Sequence, residues 1–201
     1  MKTIGLVGGV ASGKSAVAKI LVELGAGLLD ADRAGHDVLA HDPAVRSALV
    51  NRWGSSILAA NDSIDRAAVA GRVFGQDDVA ATDRHFLESL LHPRIAEVLA
   101  EKKAEFAAAG RSAVVLDAPL LLEADWQPLC DVVVFVDTDR DIRLARVGSR
   151  GWTPDEFARR EAAQWPVKRK HAAADVVLAN SGDVDTLRQG VRDIWRKYVA
   201  G

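Results

Sequence analysis

Gly8-Gly9-Val10-Ala11-Ser12-Gly13-Lys14-Ser15 fills every fixed position of the pattern G-x-x-x-x-G-K-[ST]. An apolar run, Thr3-Ile4-Gly5-Leu6-Val7, precedes it, and Ala16, Val17, Ile20, Leu21 and Leu24 recur after it at helical spacing. A loop of this kind works only between a strand and a helix, because backbone N–H groups and the helix N-terminus must converge on phosphate oxygens. Gly8 and Gly13 let the backbone turn tightly and approach a ligand closely. Lys14 is then expected to reach the β- and γ-phosphates and the Ser15 hydroxyl to ligate Mg²⁺. The stretch therefore predicts a nucleoside-triphosphate site, with Gly9, Val10, Ala11, Ser12, Gly13, Lys14, Ser15 and Ala16 around the phosphates.

Composition narrows the class. The 201 residues are 49% hydrophobic and 27% charged, which suits one α/β domain with a proper core. A net charge of −2 argues against a nucleic-acid binder, whose surface usually carries a basic excess. One cysteine, Cys130, permits no intramolecular disulfide and fits a reducing compartment. No apolar stretch approaches the length that spans a bilayer, and no leader precedes the loop, so a cytoplasmic protein without a membrane partner is expected.

Short apolar runs recur and close on polar residues: Gly27-Leu28-Leu29 before Asp30, Ala113 to Leu116 before Asp117, Val132 to Val136 before Asp137, and Val176-Val177-Leu178 before Asn180. Buried parallel strands with ligand groups at their C-terminal ends have this form. With the first run they predict a five-stranded parallel sheet with helices on both faces. Residues 43–110 carry no convincing strand. Phe86, Leu87, Leu90, Leu91, Ile95, Val98 and Leu99 form an apolar stripe there, which predicts a helical substrate-binding insertion. Residues 140–171 are rich in Arg and Lys and are expected to form a small helical lid. The nucleotide-binding core is then 1–42, 111–139 and 172–201. A last helix is expected over about 184–199, with Val184, Leu187, Val191, Ile194 and Tyr198 along one face.

Absences separate the classes of phosphate-loop protein. There is no N-K-x-D tetrapeptide, as a GTPase would carry, and no L-S-G-G-Q run, as a transporter ATPase would carry. A helical insertion plus a basic segment suits a small-molecule kinase. Phosphoryl transfer is mostly positioning and charge neutralisation, so such an enzyme needs Mg²⁺, cations and a group that orients the acceptor. Asp30 and Asp32 end the second strand in this reading. With one residue between them on an extended chain they cannot both point one way, and Asp32, further out, is the stronger candidate for a base. The alternative is that either carboxylate caps a following helix, Arg33 to Ala40. Asp117 is a candidate to hold Mg²⁺ as a Walker-B Asp does, or else a turn former. Arg146 and Arg150, four apart, share a face if helical and could clamp phosphate oxygens; otherwise the basic segment is a solvated face.

These motifs fall in an order that resembles bacterial dephospho-coenzyme A kinases over nearly the whole chain. Carrying the resemblance are the phosphate loop, Asp30-Ala31-Asp32 with His36, Ile64-Asp65-Arg66, Val73-Phe74, Leu91-His92-Pro93 and Pro119-Leu120-Leu121-Leu122-Glu123. Arg146 and Arg150, Arg160 and Gln164, Lys168, Ala174-Asp175 and Asn180-Ser181-Gly182 follow. The resemblance implies a P-loop NTPase fold and ATP-dependent phosphorylation of the ribose 3′-hydroxyl of dephospho-CoA. It further implies Lys14 and Ser15 on ATP phosphates and Mg²⁺, Asp32 as base, and His36, Arg66, His92 and Leu120 on the acceptor side. Arg146 and Arg150 would belong to the lid and Asn180 to the loop beside adenine. ATP, Mg²⁺ and dephospho-CoA are thus the expected ligands, with a monomer or weak homo-oligomer and no nucleic acid. His92-Pro93 also has a plain reading, as the start of a helix with Pro at its first position. Trp165, Ala118 and the basic run Lys168-Arg169-Lys170-His171 depart from the pattern.

Overall fold

The computed structural model describes residues 1–75 and 77–200. Within them a five-stranded, all-parallel sheet is built from β1 (Lys2–Gly8), β2 (Gly27–Asp30), β3 (Ala113–Asp117), β4 (Val132–Asp137) and β5 (Val176–Ala179), in the order β2-β3-β1-β4-β5. The expected sheet and its strands are present. β1, β3 and β4 occupy the middle and are buried almost throughout, as strands covered on both faces should be. β2 and β5 lie at the edges, and their residues alternate between buried and more exposed. The C-terminal ends of β1, β3 and β4 share one edge, where open parallel sheets place their ligands.

Helix α1 (Lys14–Glu23) starts directly after the loop and packs Val17, Ile20 and Leu21 against Ile4, Leu6, Val115, Val134 and Val136. Helix α9 (Val184–Trp195) closes the same core with Leu187, Val191 and Ile194. It begins at an Asp183 cap that accepts from the Thr186 N–H at 2.7 Å. Val184 is exposed, and Tyr198 lies in a π-helical turn, Arg196–Ala200, so the regular helix is shorter than its apolar spacing implies. Three short helices, α6 (Arg140–Gly148), α7 (Pro154–Ala162) and α8 (Val167–Ala172), occupy the stretch expected to form a lid. A capping box between Thr153 and Glu156, with Pro154 at the first position, starts α7.

The chain divides into two compact units, residues 1–30 with 102–201 and residues 31–101. The helical unit thus begins and ends earlier than 43–110. One reason is local: α2 (Ala31–His41) packs on α3 (Pro43–Trp53) and joins the helices that follow it. The other is that Phe106, near the end of α5 (Asp78–Ala108), lies where a Cβ on Gly27 of β2 would strike it. In the helical unit, Asp42 and Asp65 cap α3 and α4 (Arg66–Val73) through bonds to Ala44, Val45, Ala67 and Ala68 N–H groups. Of the apolar stripe on α5, Ile95 and Leu99 are buried while Val98 is exposed.

Candidate active site

The phosphate loop joins β1 to α1 as its pattern requires. Gly13 precedes α1 with φ 96°, and no side chain caps the N–H groups at the start of the helix, where an anion would bind. Ala11 takes φ 60° without being glycine, a strained conformation that the surroundings must enforce. They do so through carbonyl groups. The Ser12 carbonyl oxygen receives Asn180 Nδ2 at 2.7 Å, Thr138 Oγ1 at 2.8 Å and Arg146 Nη1 at 3.2 Å. The Val10 carbonyl receives Arg143 Nη1 at 3.2 Å. Tying these carbonyls to the scaffold fixes the course of the loop backbone, within which the Ser12 N–H donates to the Gly9 carbonyl at 3.2 Å.

Lys14 Nζ lies near the Gly9 and Gly8 carbonyls at 3.2 and 3.4 Å. Burial first and the positive charge of Lys170 next lower its pKa to about 8, while Asp117 and Glu123 oppose the shift. An incoming polyphosphate would reverse that shift by restoring an opposite charge. Ser15 sits in the first turn of α1, and Asp117 ends β3 half-buried. A hydroxyl and a carboxylate offer oxygen only, the donor set a small hard cation such as Mg²⁺ takes. Among the described residues no cluster of three or more His, Cys, Asp or Glu forms a metal cage.

Arg146 meets the loop, but not as a pair with Arg150. Helix α6 ends at Gly148, so Arg150 lies in the exposed turn beyond it and the two do not share a helical face. The guanidinium of Arg146 is committed to the carbonyls of Ser12 and, at 3.0 Å, Asn180. The buried arginine is instead Arg143, one of the many basic residues of 140–171. It bonds to the Thr138 and Val10 carbonyls, pairs with Glu161 and packs on Phe157. A Cβ on Gly9 would come within 2.6 Å of it.

Lys170 is likewise the buried lysine, whereas Lys168 is exposed. Its ammonium lies 2.9 Å from Glu123 Oε1 and donates to Gln164 Oε1 at 2.9 Å. Glu123 Oε1 also accepts the Trp165 N–H at 2.7 Å. The Pro119–Glu123 stretch and the joint between α7 and α8 are thereby tied together. Leu120, expected on the acceptor side, is 40% exposed there. No spacing rule separates Arg143 and Lys170 from their charged neighbours; only burial does.

In the helical unit the expected acceptor residues fall on three helices. His36 on α2 and Arg66 on α4 meet, with Nη2 2.7 Å from Nε2. Arginine can only donate, so His36 Nε2 accepts and the imidazole carries its proton on Nδ1. Two expectations change. Asp32 is not at a strand end: β2 stops at Asp30 and α2 starts at Ala31, which puts Asp32 in the first helical turn, where the macrodipole favours a carboxylate. The extended-chain argument about Asp30 and Asp32 therefore does not apply. His92-Pro93 is no helix start either, since Pro93 stands inside α5, where it leaves the i−4 carbonyl without its helical bond.

The dephospho-CoA kinase family model matches residues 2–186. The dephospho-CoA kinase of Rhodopirellula baltica is 38% identical over 186 residues, covering 92% of this chain and 86% of that protein. A crystal structure from Thermus thermophilus superimposes with a TM-score of 0.81 at 28% identity, over 98% of this chain and 97% of the other. A solved structure of the dephospho-CoA kinase from Campylobacter jejuni gives 0.72 at 21% identity, over 99% of this chain and 98% of the other. With its phosphate loop, its sheet order and a match of this extent, the chain belongs to the dephospho-CoA kinase family.

Proposed function

We propose that the chain transfers the γ-phosphoryl group of ATP to the ribose 3′-hydroxyl of dephospho-CoA, giving CoA and ADP. The observation that carries this is the complete phosphate loop at the end of β1, with the Lys14 ammonium at its mouth, in a chain of this family. The loop amides and the N-terminus of α1 hold the phosphates, and Lys14 neutralises charge that moves toward the leaving ADP. Ser15 and Asp117 would hold Mg²⁺, which supplies charge neutralisation at the phosphates when bound. The acceptor oxygen forms the new bond to phosphorus while the bond to ADP breaks. The Asp32 carboxylate takes the hydroxyl proton or orients it.

His36, Arg66 and His92 bind the acceptor in this reading, with Leu120 beside it; the bonded His36–Arg66 pair supports them. Asn180 serves the nucleotide side, by bracing Ser12 and by its place next to the adenine. Arg146 acts by holding the loop, and Arg150 by closing with the lid formed from 140–171. A cytoplasmic monomer or weak homo-oligomer completes the proposal. Among the described residues no helix is long and apolar enough to cross a membrane.

The test is ADP formation by purified protein offered a panel of alcohols with ATP. Dephospho-CoA should stimulate ADP release and yield CoA. Stimulation by a different alcohol, with none by dephospho-CoA, would overturn the assignment.

A further inference from the structure

Beside the phosphate loop an open cleft of about 180 Å³ is lined by Gly9, Val10, Glu161, Gln164, Trp165, Pro166 and Val167. Its position relative to the triphosphate follows from Lys14. The ammonium of Lys14 reaches the β- and γ-phosphates in loops of this kind, and here it lies against the Gly8 and Gly9 carbonyls. The Gly9–Val10 wall of the cleft is therefore at the γ end of the nucleotide.

Glu161 and Gln164 bring a carboxylate and an amide to that cleft. Glu161 is engaged by Arg143 and repels phosphate by its charge. Gln164 differs, because an amide has an accepting end and a donating end. Lys170 decides which end is presented. An ammonium has three donors and no acceptor, so the contact at 2.9 Å can be made only to Gln164 Oε1. The Nε2 group, with its two N–H donors, is the end turned away from Lys170. Glu123 keeps the arrangement in place. The Glu123 carboxylate, 2.9 Å from Lys170 Nζ, anchors the ammonium in place and fixes Trp165 as well.

We propose that Gln164 donates from Nε2 to an oxygen of the γ-phosphoryl group, and that Lys170, held by Glu123, is the positioning residue that turns this donor toward the cleft. This deepens the reading of the loop as an ATP site. It assigns Gln164 the task of telling a triphosphate from a diphosphate, since ADP has no oxygen within its reach.

Titration calorimetry of ATP and of ADP with Mg²⁺, in the absence of any acceptor, tests the assignment. Gln164→Leu should weaken ATP roughly tenfold, the worth of one hydrogen bond to a charged oxygen, while ADP affinity stays the same. Gln164→Glu should weaken ATP further, because it puts a carboxylate where the donor was. Lys170→Met should lower the ATP-over-ADP affinity ratio as Gln164→Leu does, and Lys170→Met with Gln164→Leu should lower that ratio no further than either alone, as expected of residues that act through one contact. Lys170→Arg retains a donor-only cation and should keep most of the preference for ATP. Equal losses for ATP and ADP, or unchanged affinity for both in Gln164→Leu, would overturn the proposal. The measurement stands apart from the acceptor assay: wild-type protein that ignores dephospho-CoA sinks the kinase assignment, and the ATP-over-ADP ratio still decides this one.

Discussion

The two units hold their candidate residues by different means. In the sheet unit, buried and half-buried side chains reach the backbone of the loop: Asn180, Thr138 and the half-buried Arg146 converge on the Ser12 carbonyl, and Arg143 on that of Val10. In the helical unit, candidate residues meet side chain to side chain nearer the surface, as His36 meets Arg66. Phosphate is recognised by amide groups, whose direction depends on the whole loop, so the scaffold must fix the backbone. An alcohol-bearing acceptor is recognised by side chains, which amphipathic helices can carry individually. Changes in the first region should therefore register on ATP, and changes in the second on the acceptor.

The largest effect should come from Lys14→Ala. Loss of a cation at the migrating phosphoryl group should lower kcat/KM for ATP by about 10³-fold or more. The wild-type value should also decline as pH rises through about 8, where the free-enzyme Lys14 gives up its charge, and the variant should lose that limb. A variant that kept the limb would show that some other group titrates. Asp32→Asn should come next, with kcat reduced roughly 10²- to 10⁴-fold and ATP affinity retained. Near-normal turnover would remove Asp32 from the base role and erase its part in the contrast between units.

Smaller effects sharpen the division. Asn180→Ala leaves the Ser12 carbonyl to Thr138 and Arg146, and KM for ATP should rise about five- to tenfold with KM for dephospho-CoA unmoved. Arg66→Ala should do the reverse, with a rise of about fivefold or less for dephospho-CoA alone, because the pair it breaks is exposed. Steady-state kinetics with each substrate varied in turn would read both. A rise in both KM values for either variant would show that loop and helices are not held separately.

Much of the nucleotide site is legible in the chain because its chemistry is local. The motif specifies a strand, a tight turn and a helix in immediate succession, and β1, Gly13 and α1 follow it residue for residue. The strands announce themselves as apolar runs because both faces of the middle three are buried. Local reading fails where the signal is ambiguous. Leu29-Asp30-Ala31-Asp32 reads as a strand end, yet the helix begins one residue after β2 and takes Asp32 with it. Pro93 reads as a helix start, since proline favours that position, but a helix of 31 residues runs through it. Arg146 and Arg150 have helical spacing, but α6 ends between them.

The sequence by itself thus determined the phosphate loop, the parallel sheet, the helical insertion and the family, all of which rest on contiguous patterns or on motif order. Only the tertiary structure decided which of many charged residues do more than keep the chain hydrated. Arg143 and Lys170 are ordinary members of a basic stretch until the fold buries them beside the loop. Burial then makes each pay for its lost water with a specific partner, Glu161 for one and Glu123 with Gln164 for the other. Those partners lie 18, 47 and 6 positions away in the chain, and no periodic pattern connects them.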